Sequence, residues 1–222
     1  MMGTTARLLF VAAALVLGLA FLAPLWRITL QAPQYPEGLG LEIRVNTVTG
    51  VKPQDLQNIN GLNHYIGMKA IEPDSIPELT LMPLALGALL LGGLGVAALG
   101  RRTFARAWVL LFLVGTLAGL ADFWYWQYDY GHNLDVENAP IKVPGMSYQP
   151  PLFGTKQLLN FTATSWPGLG GWAAFASLGL AGVAVAYDRR RHLALATAAV
   201  PSRPLEAPVA THVAARAAGG VS

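Results

Sequence analysis

The chain has no cysteine in 222 residues. That removes disulfides, thiolate metal sites, iron–sulfur clusters, covalent c-type haem and a cysteine nucleophile together. Charge is also scarce: 12% of residues are charged, against 54% hydrophobic and a mean hydropathy of +0.44. A single soluble core of this size does not need that balance, so the bilayer is the expected solvent. Histidine is missing from all four long apolar runs, which excludes a bis-histidine haem b held between them. No Ser/His/Asp order, phosphate-cradling glycine loop or HExxH motif is present. The chain therefore reads as a protein without catalytic machinery of its own. A net charge of +3 and a pI near 9.3 do not signal nucleic acid, because the basic residues flank apolar runs rather than share one surface.

Four runs are long enough to cross the roughly 30 Å hydrocarbon layer. They divide the chain into a first transmembrane helix (1–26), loop one (27–78), a transmembrane hairpin with an arginine-rich turn (79–126), loop two (127–169), a fourth span (170–187) and a tail (188–222) expected to be disordered. The first run, Leu8 to Trp26, is read as retained: it has the length of a full span, and Pro24 is a poor residue after a cleavage site at Ala23. In the second, Gly92, Gly93 and Gly95 offer a flat face for close helix approach. An even number of crossings puts both termini on one side. One set of ends holds nine arginines against Asp188 and Glu206, and the remainder holds six basic against ten acidic groups. The positive-inside rule assigns the arginine-rich ends to the cytoplasm. Trp26, Trp124, Tyr125, Trp126, Tyr128, Tyr130, Trp166 and Trp172 gather at the opposite ends, as an interfacial belt does; a quinone or haem platform is the alternative. Asp122 is the one acid close to the hydrocarbon, read as snorkelling to the interface or serving a proton or cation. The fold class expected is an all-α membrane protein, a four-helix transmembrane bundle with N-in/C-in topology and a small mixed cap from the two outer loops.

In loop one, Leu39, Leu41, Ile43 and Val45 alternate with polar residues or glycine, the period of a half-buried strand. Leu56, Ile59, Leu62 and Ile66 then recur at helical spacing, with Gly61 and Gly67 predicting short helices broken at glycine. Neither loop is large enough for a domain of its own; packed together they form one cap, with Phe153, Leu158, Leu159 and Phe161 covering loop one. His64 and Met68 are four apart, one face of a helical turn. His132 and Met146 supply the same residue types from loop two. Imidazole and thioether together suit Cu(I) in an oxidising compartment, so these four are the candidate metal ligands and copper the candidate cofactor. The plainer readings are turn-bracing hydrogen bonds for each histidine and gap-filling for each methionine. Asp129, Asp135 and Glu137 are expected to be solvated or paired.

The strings Ala32-Pro-Gln-Tyr-Pro-Glu-Gly-Leu39, Asp55-Leu-Gln-Asn-Ile-Asn-Gly-Leu-Asn-His-Tyr-Ile-Gly-Met68, Tyr130-Gly-His-Asn-Leu-Asp135 and Val143-Pro-Gly-Met-Ser-Tyr-Gln-Pro-Pro151 resemble those of the NosB-like group. These are small polytopic membrane proteins found with the clade II type of nitrous oxide reductase. The resemblance covers both loops and the four-span plan. It implies an accessory protein of the bacterial inner membrane, serving a periplasmic copper reductase through copper supply, maturation or electron delivery. The partners implied are the lipid bilayer and a periplasmic or membrane protein of that system. No residue role comes with it. Two other readings stay open: a structural subunit of a larger membrane complex without its own cofactor, and a transporter built around Asp122.

Overall fold

The computed structural model describes residues 1–142 and 145–198. Four helices are long and apolar enough to cross a membrane. They are α1 (Thr4–Gly18, prolonged by a 3-10 turn Leu19–Phe21), α3 (Glu78–Leu99), α4 (Arg102–His132) and α5 (Leu169–Ala198). A shorter helix, α2 (Asp55–Tyr65), lies between α1 and α3. The tail begins as a continuation of α5; its expected disorder from residue 199 onward lies outside the described residues.

The expectation of an all-α four-helix bundle is corrected by a five-stranded antiparallel sheet. Its strands are β1 (Trp26–Ala32), β2 (Tyr35–Ile43), β3 (Val48–Gly50), β4 (Gly154–Leu158) and β5 (Phe161–Pro167), in the order β3-β2-β1-β5-β4. Loop one thus contributes three strands and loop two a hairpin, joined where β1 pairs with β5, Trp26 opposite Pro167 and Gln31 opposite Thr162. β1 and β5 alternate apolar or small residues on one face with Arg27, Thr29, Thr162, Thr164 and Trp166 on the other. That is the period-2 pattern of a sheet covered on one side.

The two central strands are direct continuations of spans: β1 follows α1 and β5 leads into α5. The joint is fixed by backbone bonds from Gly168 N to Leu25 O (3.0 Å) and Gly170 N to Pro24 O (2.9 Å). Glycine is required there, since a Cβ on Gly170 falls 2.6 Å from Ala23 O and 3.0 Å from Pro24 O.

Two apolar clusters result. Within the spans, Phe10, Ala13, Leu17, Trp108 and Phe112 pack with Ala181 and Ala184. Small residues let α1 and α5 approach, and Ser177 Oγ donates to Ala13 O (2.8 Å). Gly92 and Gly93 receive the Trp108 indole, whereas a Cβ on Gly95 would meet open space. In the cap, Trp26, Ile28, Leu39, Leu41 and Val48 close against Ile59 of α2 and Leu79 of α3. Trp26 is therefore not part of an interfacial belt: it is buried, and its Nε1 donates to Ser165 Oγ (2.8 Å). At the arginine-rich ends, buried Asp188 accepts from Gly3 N (2.8 Å) and Arg102 Nε (2.6 Å), and Arg7 caps the α3 carbonyls of Ala97 (2.6 Å) and Ala98 (2.9 Å).

Candidate functional site

Of the residues singled out for metal, His64, Met68 and His132 belong to segments that meet at a seam between loop one and loop two. α2 does not break at Gly61, where a Cβ would meet open space. It stops at Tyr65, and the chain reverses at Gly67 with φ +77. Met68 N then bonds back to Asn63 O at 2.9 Å, the closing bond of a glycine-terminated helix. Met68 is accordingly beyond the helix, and its side chain does not share a helical face with His64.

The reversed segment meets loop two through main-chain bonds. Asp135 N donates to Gly67 O (2.8 Å) and Ile141 N to Tyr65 O (2.9 Å). Lys69 Nζ pairs with Asp129 Oδ2 (2.8 Å), and Tyr130 Oη donates to Ala70 O (3.3 Å). Contact is tight: a Cβ on Gly67 would lie 2.6 Å from Asp135 O. A second tie closes loop two on itself, from Tyr148 N to Gly131 O (2.9 Å), with Gly131 pressed against the backbone of Gln149. Below it, buried Gln127 donates weakly from Nε2 to Pro151 O (3.4 Å), and its Oε1 has no partner among the described residues.

His64 is exposed in the last turn of α2, its ring edge-on to Tyr65. His132 is exposed at the end of α4, and its ring stacks on Tyr128 with centroids 4.1 Å apart. Tyr128 in turn stacks on Trp124, which makes an exposed aromatic ladder at i, i+4 and i+8. His132 Nδ1 lies 3.1 Å from Tyr128 O, so this ring nitrogen is turned to a backbone carbonyl. Met68 and Met146 are half-buried. The fold brings the segments of His64, Met68 and His132 into one layer, but the His132 ring is turned toward Tyr128. Among the described residues no three His, Cys, Asp or Glu side chains group as a metal site.

Of the loop acids, Asp129 and Asp135 are hydrogen-bonded, and Glu137 is exposed. Asp129 accepts from Lys69 and Asn133. The Asn138 side chain and backbone N–H hold the Asp135 carboxyl below its usual range. Asp122 lies half-buried within α4 and in electrostatic reach of Glu78, whose Oε2 is buried without a partner among the described residues.

The strongest charge constellation was not singled out from sequence. Glu42 on β2 stands opposite Arg27 on β1 and is nearly buried. Burial alone would raise its pKa, yet hydrogen bonds from Arg27 and from Arg44 Nη2 (2.9 Å) hold it below the usual glutamate value. The available signal was Glu42 at an outward position of the alternating 39–45 segment; its partner Arg27 was invisible without the pairing of β1. Compared with the models of known protein families, the chain matches none, and it matches none of the curated proteins.

Proposed function

We propose that this chain is an accessory protein of nitrous oxide respiration, similar to the NosB-like group. In this reading it sits in the bacterial inner membrane with its arginine-rich ends in the cytoplasm and its sheet cap in the periplasm. The cap engages a copper reductase or its maturation machinery, and the spans anchor it. One observation carries the reading: three of the four strings that resemble the group, which lie between Asp55 and Pro151 in the sequence, are bonded to one another in space. Gly67 of the second is bonded to Asp135 of the third, and Gly131 of the third to Tyr148 of the fourth. A shared seam is what a common working surface requires. Copper is the cargo proposed, with His64, Met68, His132 and Met146 as donors, since imidazole and thioether together suit Cu(I).

A deletion strain tests the reading. Loss of nitrous oxide reduction that added copper restores supports copper supply, and loss that copper does not restore supports maturation or electron delivery. Unchanged reduction would refute the proposal. Purified protein that binds no Cu(I), or whose His64→Ala and His132→Ala forms bind it unchanged, would remove copper from it. The exposed Trp124–Tyr128–His132 ladder favours a second reading, a structural subunit that meets a larger membrane complex through this face.

A further inference from the structure

Where β1 and β5 leave the spans, the outward face of the sheet bends into a concavity of about 550 Å³. Its walls include Pro24, Arg27, Thr29, Thr164, Trp166 and Leu169. Its height relative to the bilayer follows from the chain: α1 and its 3-10 turn end at Phe21, and α5 begins at Leu169. The opening therefore lies at the headgroup level of the leaflet on the sheet side. Leu22 (76% exposed) and Leu169 (66% exposed) flank it toward the hydrocarbon, and half-exposed Trp166 stands over it.

The polar wall has unused donors. The sheet register places Thr49, Glu42, Arg27 and Trp166 in one row across the outward face, with Thr29, Thr164 and Thr155 in the next. Arg27 gives one N–H to Glu42 Oε1 and is half-exposed; its other guanidinium N–H groups have no partner among the described residues. Arg44 occupies the second oxygen of Glu42, so the three groups together carry one net positive charge. A guanidinium edge beside threonine hydroxyls, above apolar residues at membrane level, matches a phosphate diester with acyl chains beneath it.

We propose that this concavity is a binding site for an anionic phospholipid, its phosphate taken by Arg27 with Thr29 and its acyl chains lying along Leu22 and Leu169. The site is independent of the nitrous oxide reading. The test uses the full chain in bilayers of mixed phosphatidylglycerol and phosphatidylcholine, one or the other brominated in its acyl chains. Quenching of Trp166, isolated as the difference between wild type and Trp166→Phe, reports the local lipid. The expected preference for phosphatidylglycerol is about tenfold, the scale of one charge-assisted contact. Arg27→Gln abolishes it, and Glu42→Gln raises it because the cluster gains a net charge. No preference in the wild type, or an Arg27→Gln preference equal to wild type, overturns the proposal. Because both variants break the same ion pair, a matching loss in Glu42→Gln would show that Arg27 acts only through the fold, which also overturns it. Reversal of the quenching by excess inorganic phosphate would identify a free-anion site and overturn the lipid assignment.

Discussion

Replacing Gly170 by alanine tests the joint between the spans and the sheet. Helix propensity alone favours the change by about 1 kcal/mol, since glycine is the poorer helix former. The structure reverses the sign. The new Cβ would sit 2.6 Å from Ala23 O, 3.0 Å from Pro24 O and 3.2 Å from Ala20 Cα, all backbone atoms of the neighbouring span. Relief requires moving α5 away from α1 at the point where Gly170 N bonds Pro24 O. A Cβ this close to three backbone atoms belongs in the upper part of the overpacking range, about 2–3 kcal/mol, so the net loss expected is about 1–2 kcal/mol. Gly179 and Gly182 supply controls in the same helix, because a Cβ at either meets open space. Unfolding of the full chain in detergent micelles, followed by tryptophan fluorescence, should rank Gly170→Ala below wild type and Gly179→Ala at or above it. Equal stability of the two variants would refute the close-approach reasoning.

Three further outcomes follow from the same structure. Glu42 has a folded pKa below its unfolded value near 4.5, so its contribution is full above about pH 4.5 and is lost as pH falls through the lower folded value; Glu42→Gln should be less stable at pH 7 and show a shallower acid limb. Leu159 occupies φ +56 in the two-residue turn between β4 and β5, and Leu159→Gly should stabilise by about 1 kcal/mol through relief of left-handed strain, read as a shift of the unfolding midpoint. Asp188→Ala should cost about 1–3 kcal/mol by orphaning Gly3 N and Arg102, and Asp188→Asn should recover part of that in the same assay.

The long apolar helices were legible because a bilayer demands continuous apolar runs, and composition alone reports them. The alternation around Leu39–Ile43 and the spacing of Leu56, Ile59 and Leu62 were legible for the same local reason, and they lie in β2 and α2. β1 was hidden because Trp26 and Ile28 extend the apolar run of the first span. β5 was hidden because its inward residues include Ala163 and Ser165, too small and polar to mark a face. Pairing of β1 with β5 joins residues more than 130 positions apart, and no local period encodes it. The candidate ligands show the same limit. Spacing suggested a shared helical face for His64 and Met68, and a left-handed glycine between them removed it. The proximity of loop one to loop two rests on main-chain bonds that residue types do not announce.

The seam between the loops is the central claim, and Gly67→Val tests it most directly. Valine at φ +77, with its Cβ 2.6 Å from Asp135 O, must part the loops while leaving the four spans untouched. The measurement is nitrous oxide consumption by a deletion strain carrying this variant at wild-type membrane abundance. Consumption at the level of the deletion strain is the predicted result, and consumption at the wild-type rate would contradict the account.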